Sequence, residues 1–288
     1  MTRPRLTLAA LLTAVLTTGM APGARCAAPG SPGTTGPYHI PRGFTADVVT
    51  IECDDGYKLA ADWLRRGRMT RKMPGIIFLH EGGRDRHAWY PMTIMTAGRG
   101  MAVLAVDLRG HGENPSAAGN APVKAADLSA SDYQAMLDDV RNAVSYLAIR
   151  SEVDGGRLAI VGSGLGANLA LMAAGASWAE AVTCVIAVSP TLDDHGLAPL
   201  EAVKKIGKSK TVYLAAAQDD PPALAACDAF APLLKHVKEY FRPETGGHGL
   251  ALFGKGLFRK IPEWLHESVL APSLAAQGVL PSGAPARK

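Results

Sequence analysis

The segment "IVGSGLGANL" at residues 160–169 has the spacing of a chemically active turn. Glycines two residues before and two residues after a central position are typical of a sharp strand-to-helix turn that presents a reactive side chain. Gly162 and Gly166 satisfy this spacing around position 164, which is itself a glycine. Ser163 carries the nearest hydroxyl, but a turn centred on it would put larger side chains where the glycines are required. The register therefore predicts a turn about position 164.

Such a turn needs a strand before it and a helix after it, and the flanking segments "RLAIVG" and "LGANLALMAAGA" are typical of these elements. Continuous apolar runs such as "GIIFLH" and "MAVLAVD" indicate strands buried on both faces. The run "SDYQAMLDDVRNAVSYLAI" has apolar residues at steps of three and four, as in a helix. This alternation predicts an α/β protein with a mostly parallel central sheet and helices on both faces.

The sequence also predicts where this single domain begins and ends. We expect a flexible Pro/Gly-rich lead-in at residues 29–37, one domain at residues 38–272 and a loose tail at residues 273–288. Near the C-terminal end, the segments "PALAACDAFAPLLKHV" (222–237) and "FRKIPEWLHESVL" (258–270) are each predicted to be helical.

Five motifs occur in order along the chain: "FLHEGGRDRHAW", "AVDLRGHGEN", "IVGSGLGANLAL", "AAAQDDPP" and "GGHGLALF". Together they resemble the α/β-hydrolase family, especially its small dienelactone-hydrolase-like and serine-peptidase-like members. The resemblance covers nearly all of the chain after residue 38. It implies an α/β-hydrolase fold with a minimal cap domain or none, and an ester- or peptide-hydrolase-like activity.

The resemblance also implies which side chains would perform acid–base chemistry. Asp220 lies at the acid position and His248 at the base position, so the carboxylate would fix the tautomer and orientation of the imidazole. Asp219 is the weaker candidate for the acid. Gly164 occupies the nucleophile position.

An oxyanion hole is implied beside the turn. Its donors would be the backbone N–H of Leu165 and that of Glu81 or Gly82. Glu81 departs from the family pattern, which usually has a small or apolar residue directly after this histidine, and its carboxylate would repel a developing negative charge. His80 and Arg109 are expected to hold loops beside the site.

Glycine at position 164 closes the acyl-enzyme route, because no side chain is present to attack a substrate. Three alternatives stay open. Ser163 could act as the nucleophile in a reshaped turn, or His248 and Asp220 could activate water directly. The fold could instead bind an ester- or amide-like ligand or a partner without turnover, as a pseudoenzyme. A lyase that uses the dyad as a base fits the same residues.

Residues 1–28 are typical of a secretory signal peptide: Arg3 and Arg5 precede an apolar run that ends in small residues. We therefore expect a periplasmic or secreted protein without a stable membrane span. Lipid attachment at Cys26 is disfavoured because Arg25 precedes it. Loss of this segment, which has three arginines and no acidic residue, reduces the formal charge from +4 to about +1. The charge balance therefore argues against nucleic-acid binding.

No metal and no cofactor are expected, because the sequence lacks a CxxC or HExxH pattern. The run "GSGLGA" also lacks an acidic residue at the end of the following strand, about 20 positions further on, which is typical of dinucleotide sites. Cys184 is expected to be a buried thiol, whereas Cys53 and Cys227 could form a disulfide after export. The oligomeric state is left open.

Overall fold

The computed structural model describes residues 40–67, 70–114 and 123–278 of the 288-residue chain. These residues form an eight-stranded sheet in the order β1-β2-β4-β3-β5-β6-β7-β8. β2 is antiparallel to both β1 and β4, and the other neighbouring strands are parallel. The predicted fold class, a mostly parallel sheet with helices on both faces, is confirmed.

Strands and helices alternate along most of the described residues. The strands are β1 (Phe44–Glu52), β2 (Lys58–Arg66), β3 (Met73–Leu79), β4 (Ala102–Val106), β5 (Val153–Ser163), β6 (Val182–Val188), β7 (Thr211–Ala215) and β8 (Val237–Phe241). The α-helices are α1 (Tyr90–Gly98), α2 (Ala130–Ala148), α3 (Leu165–Ala174), α4 (Leu200–Val203), α5 (Pro221–Phe230), α6 (Leu257–Leu265) and α7 (Ala271–Ala276). Short 3-10 helices occur at Arg86–Trp89, Ala125–Asp127 and Gly249–Lys255, and a π-helical turn at His266–Leu270 joins α6 to α7.

Two apolar layers cover the sheet. α2, α3, α4 and α5 pack on one face, and α1, α6 and the π-helical turn pack on the other. Every residue of β3 and β4 is buried, which is the reason these strands read as continuous apolar runs. The parallel strands β3, β5, β6 and β7 consequently end at one edge of a rigid sheet, where their following loops meet.

The prediction of one helix over residues 222–237 is wrong. α5 ends at Phe230, and β8 begins at Val237. Pro232 lies just beyond the end of the helix, and proline has no N–H for a helical hydrogen bond. The apolar residues after it therefore belong to a turn and to an edge strand.

The prediction of a loose tail from residue 273 is also wrong over its first residues. Ala271–Ala276 is helical, with Pro272 in its first turn, where proline is tolerated. Ser273 is buried and its Oγ donates to Asp154 Oδ2 at 3.0 Å. Gln277 Nε2 donates to the Lys72 carbonyl at 2.8 Å. These contacts fix the segment against the sheet; residues 279–288 lie outside the described residues.

The predicted leader at residues 1–28 and the lead-in at residues 29–37 lie outside the described residues as well. No helix within residues 40–67, 70–114 or 123–278 combines the length and apolar character needed to cross a bilayer.

Cys53, Cys184 and Cys227 are free, buried thiols. The structure therefore contains no bridge between Cys53 and Cys227. Burial raises the pKa of Cys184 and of Cys227 to about 12, so both thiols stay protonated near neutral pH.

Candidate active site

A tight bend between β5 and α3 lies at the edge of the sheet where the parallel strands end. Gly164 is the one residue between the two elements, with φ 51° and ψ −117°. A Cβ atom on Gly162 would lie 2.0 Å from the Gly166 carbonyl oxygen, and one on Gly166 would lie 2.4 Å from the Leu79 carbonyl oxygen. Backbone therefore fills the space on both sides of the bend, and only glycine fits at these two flanking positions.

The structure brings His248 and Asp220 together. His248 Nδ1 lies 2.8 Å from Asp220 Oδ2, so the ring donates this proton to the carboxylate. Asp220 follows β7 and directly precedes α5, and its side chain is 8% exposed. The imidazole is 47% exposed, which leaves its Nε2 accessible from solvent. A carboxylate on Nδ1 orients the ring so that Nε2 can accept a proton.

Asp219 contacts the backbone beside His248 rather than the imidazole. Its carboxylate accepts hydrogen bonds from the N–H groups of Gly246 (3.0 Å) and Gly247 (2.9 Å), and these bonds lower its pKa. Asp219 therefore fixes the backbone of the loop that carries His248, whereas Asp220 contacts the imidazole itself.

Ser189 belongs to the same loop contacts and was missed by sequence reasoning. It follows β6, is fully buried and has a positive φ of 48°. Its Oγ accepts a hydrogen bond from the N–H of Gly249 at 2.9 Å, directly after His248. The one feature of the sequence that could have indicated Ser189 is its position. It follows a buried parallel strand, and the loops after such strands contain the other site residues.

The position at the centre of the bend faces the imidazole. A Cβ atom on Gly164 would lie 3.2 Å from His248 Nε2 and 3.0 Å from Glu81 Cβ. A side chain at position 164 would consequently point into the space between these two residues. Glycine leaves that space without a nucleophilic atom.

Ser163 is hydrogen-bonded through its hydroxyl to Glu81. Its side chain is fully buried, and its Oγ donates to Glu81 Oε2 at 3.0 Å. A Cβ atom on Gly249 would lie 1.8 Å from the same carboxylate oxygen. The carboxylate therefore leaves no room for a side chain at position 249. Glu81 is 15% exposed, and its other oxygen lies 3.5 Å from Arg84 Nε. Ser163 and Arg84 thus hold its two carboxylate oxygens.

The predicted oxyanion donors belong to two different segments of the chain. Leu165 is the first residue of α3, so its N–H has no acceptor within the helix. Glu81 and Gly82 follow β3, and His80 supports this segment. His80 Nε2 accepts from the Leu108 N–H at 2.9 Å, and its Nδ1 donates to the Glu81 carbonyl at 2.8 Å. Burial lowers the pKa of His80 to about 4, which keeps the ring neutral in this bridging role.

Arg109 lies in a separate cluster and joins the turn that contains Asp55 to helix α2. Its Nη2 lies 2.7 Å from carboxylate oxygens of both Asp55 and Asp139. Cys53, Asp55 and Asp139 have ligand atoms within 4.8 Å of one another, the spacing of a metal site. The guanidinium already supplies the positive charge there, and burial raises the pKa of the Cys53 thiol well above its usual range. The cluster is therefore satisfied as an ion-pair network.

Comparison with known proteins identifies the family. The sequence profile described as "Alpha/beta hydrolase family" matches residues 76–286, more than half of the chain. The chain belongs to the alpha/beta hydrolase family. The family resemblance inferred from the five motifs is therefore confirmed.

Curated relatives match a shorter segment. The Mycobacterium tuberculosis protein Rv2307c is 28% identical over 123 residues, which cover 43% of this chain and 39% of that protein. The Salmonella typhimurium protein YfhR is 25% identical over 132 residues, which cover 45% of this chain and 41% of the relative. The chain thus spans about two fifths of the length of these relatives.

Solved structures of hydrolases share the fold. The Pyrococcus furiosus esterase Pf2001 has a TM-score of 0.63 at 17% identity and covers 83% of this chain and 100% of its own. An acetyl xylan esterase from Paenibacillus sp. R4 has a TM-score of 0.64 at 20% identity, covering 78% and 85%. A dienelactone hydrolase from Anabaena variabilis has a TM-score of 0.63 at 17% identity, covering 79% and 100%. Identities this low support a common fold rather than a common substrate.

Proposed function

We propose that this protein is an exported, esterase-like alpha/beta hydrolase in which the covalent acyl-enzyme route is closed at Gly164. The observation that carries the proposal is the 3.2 Å separation between a Cβ atom on Gly164 and His248 Nε2. In a triad, the hydroxyl on that carbon would give its proton to the imidazole. Glycine supplies no such hydroxyl, so no ester bond to the protein forms.

His248 and Asp220 can still act on water. A water molecule above Gly164 would give its proton to His248 Nε2 while its oxygen attacks the carbonyl carbon of a small ester or amide. The protonated imidazole, stabilised by Asp220, would then return the proton to the leaving group. Triad enzymes that lose one member retain a residual acceleration of about 10³-fold over water, which sets the scale of activity expected here.

A second candidate function, ligand binding without turnover, is favoured by Glu81. Its carboxylate accepts a hydrogen bond from Ser163, and the Glu81 Cβ would lie 3.0 Å from a Cβ atom at position 164. A fixed negative charge there opposes the anion that forms when a carbonyl is attacked. Such a site favours retention of a small neutral ester- or amide-like ligand over its hydrolysis.

A substrate panel with four proteins tests these functions. Short acyl esters and aminoacyl substrates are assayed with the wild type, Gly164→Ser, Ser163→Ala and His248→Ala, and each protein is incubated with a serine-reactive fluorophosphonate. We expect no labelling of the wild type. We expect Gly164→Ser to become labelled and to hydrolyse esters at least about 100-fold faster than the wild type.

The same panel separates the alternatives. Slow wild-type turnover that is lost only in His248→Ala supports water activation. No turnover by the wild type, together with saturable ester binding, supports the binding function. Labelling of the wild type that disappears in Ser163→Ala would contradict the proposal.

Export by residues 1–28 is part of the proposal and has its own test. Expression of the full chain in a bacterium with a secretion system, followed by mass measurement of the mature protein, is expected to give an N-terminus near residues 26–28. Retention of the whole segment in the cytoplasmic fraction would contradict it.

A further inference from the structure

A second cavity lies at the opposite edge of the sheet from His248. It has a volume of about 430 Å³ and is formed where β2 ends and where β3 and β4 begin. The candidate active site lies at the other ends of the parallel strands, after β3, β5 and β7. The two places are therefore separated by the length of the sheet, and the cavity is not an extension of the active site.

Three arginines line this cavity: Arg66, Arg71 and Arg99. No acidic residue lines it among the residues that the structure describes. All three arginine side chains belong to exposed residues, so their charges can reach a ligand from solvent. Arg66 Nη1 donates to the Gly98 carbonyl at 3.4 Å, at the long end of the range for a hydrogen bond. Three like charges around one concavity repel one another unless an anion lies between them.

Asp47 and Glu152 are paired with another arginine, Arg65. Asp47 Oδ2 lies 2.9 Å from Arg65 Nη1, and Glu152 Oε1 lies 3.7 Å from Arg65 Nε. Arg65 precedes Arg66 in β2, and successive strand residues point to opposite sides of a sheet. The acids thus neutralise the side of the strand that faces away from the cavity.

The floor of the cavity is apolar. Met73 and Leu270 are buried, and Leu274 of α7 is half-buried beside them. The volume exceeds that of a bare inorganic anion and falls within the range of cavities that hold small organic ligands. An arginine rim over an apolar floor suits a ligand with one strongly anionic end and a short organic part.

We propose that this cavity, lined by Arg66, Arg71 and Arg99, is a binding site for the phosphate group of an organic phosphate. Guanidinium groups bind phosphate oxygens in bidentate pairs. A phosphate monoester carries close to two negative charges near neutral pH, which suits several arginines better than the single charge of a carboxylate. The phosphate monoester could belong to a free small molecule or to a lipid headgroup of the phosphatidate type, and both present a doubly charged phosphate to the cavity.

Calorimetry with glycerol 3-phosphate and sedimentation with vesicles of phosphatidic acid in phosphatidylcholine distinguish the two sources. The wild type is expected to bind at least one of these probes at low ionic strength. The variant Arg66→Gln/Arg71→Gln/Arg99→Gln is expected to bind it about tenfold more weakly or worse, since each lost pair removes a charge-assisted contact. Binding of glycerol 3-phosphate alone assigns a soluble ligand, and binding of the vesicles alone assigns a lipid headgroup.

A matched control removes the same amount of charge from exposed lysines elsewhere: Lys205→Gln/Lys208→Gln/Lys235→Gln. This variant is expected to bind within about twofold of the wild type. Three results would overturn the proposal: failure of the wild type to bind either probe, equal weakening in the two triple variants, or binding of succinate as tight as that of glycerol 3-phosphate. Equal thermal unfolding temperatures for the variants and the wild type verify that the fold is intact.

Discussion

The bend at Gly164 and the loop at His248 lie side by side, but different forces hold them in place. At the bend, backbone packs on backbone, with no room for a Cβ atom at Gly162 or Gly166. In the loop, polar side chains hold the chain: Asp219 binds two N–H groups, and Ser189 binds a third. Because backbone packing holds the bend, its shape does not depend on a side chain at position 164.

This difference explains how a side chain can be absent from the bend without a change in the fold. A non-glycine residue with the backbone angles of Gly164 costs about 1–3 kcal/mol, so glycine relieves strain at this position. The loop has no comparable freedom, because its hydrogen bonds depend on particular polar side chains. The retained dyad is therefore the more informative of the two features, and substitutions can reveal whether it serves structure or chemistry.

Gly162→Ala should produce the largest effect, since it disrupts the packing at the bend. The added methyl group would meet the Gly166 carbonyl at 2.0 Å, and backbone cannot move aside as a flexible side chain can. We expect a loss of about 3 kcal/mol or more in the free energy of unfolding, measured by urea denaturation. Gly156→Ala in the same strand, where the nearest atom is 3.8 Å away, is the control and should stay within about 0.5 kcal/mol. Equal losses in the two variants would show that the bend tolerates a Cβ atom.

Glu81→Gln in the Gly164→Ser background is expected to have the next largest effect. The amide keeps the size of the carboxylate and its hydrogen bond with Ser163 but removes the negative charge of a residue that lies beside position 164. We expect kcat/KM for neutral esters to rise about tenfold over Gly164→Ser alone, because repulsion of the oxyanion is relieved. Glu263→Gln on the exposed surface of α6 removes the same charge far from the site and should leave kcat/KM unchanged. An unchanged rate in the Glu81 variant would show that its charge does not reach the oxyanion.

The sequence predicted the central sheet well, because burial on both faces leaves a continuous apolar run in β3, β4 and β6. It failed where local pattern competes with long-range contacts. The apolar run after Pro232 resembled more helix, and the helix Ala271–Ala276 had no visible periodicity. That helix is held by Asp154, a residue 119 positions away in the chain, which no local window includes.

Local sequence patterns also predicted only part of the candidate active site. Asp220 and His248 were found through motifs, and the structure brings them into contact. The pairing of Ser163 with Glu81 crosses 82 positions and could not be anticipated, although both residues were singled out separately. Ser189 was missed because a lone serine after a strand has no distinctive spacing. Long-range polar partners depend on the register of neighbouring strands, which periodicity alone does not fix.

Ser163→Ala tests the role of the hydroxyl nearest to the bend. The substitution removes one buried hydrogen bond to Glu81, so we expect a loss of about 1 kcal/mol in the free energy of unfolding. Any hydrolysis by the wild type should persist, because the hydroxyl is buried and donates to Glu81. Ser163→Cys retains a weak donor and serves as the conservative control. Abolished activity in the Ser163→Ala protein, with the fold intact, would identify Ser163 as the nucleophile.

His248→Ala is expected to have the smallest effect on stability. The imidazole is half exposed, and the loop that carries it is fixed by Asp219 and Ser189 through backbone N–H groups rather than through the ring. Water can replace the ring as the partner of Asp220, so the free energy of unfolding should fall by only about 0.5 kcal/mol. The same substitution should abolish the hydrolysis gained by Gly164→Ser.

Asp219→Ala is the matched comparison for this last variant, since it releases two N–H groups and should destabilise the protein more than His248→Ala does. The reverse order of stabilities would show that the His248–Asp220 pair holds the loop together and is retained for structure. A larger loss of stability in Asp219→Ala than in His248→Ala, together with lost activity in the His248 variant, would show that the imidazole serves chemistry. The fold would then not depend on it.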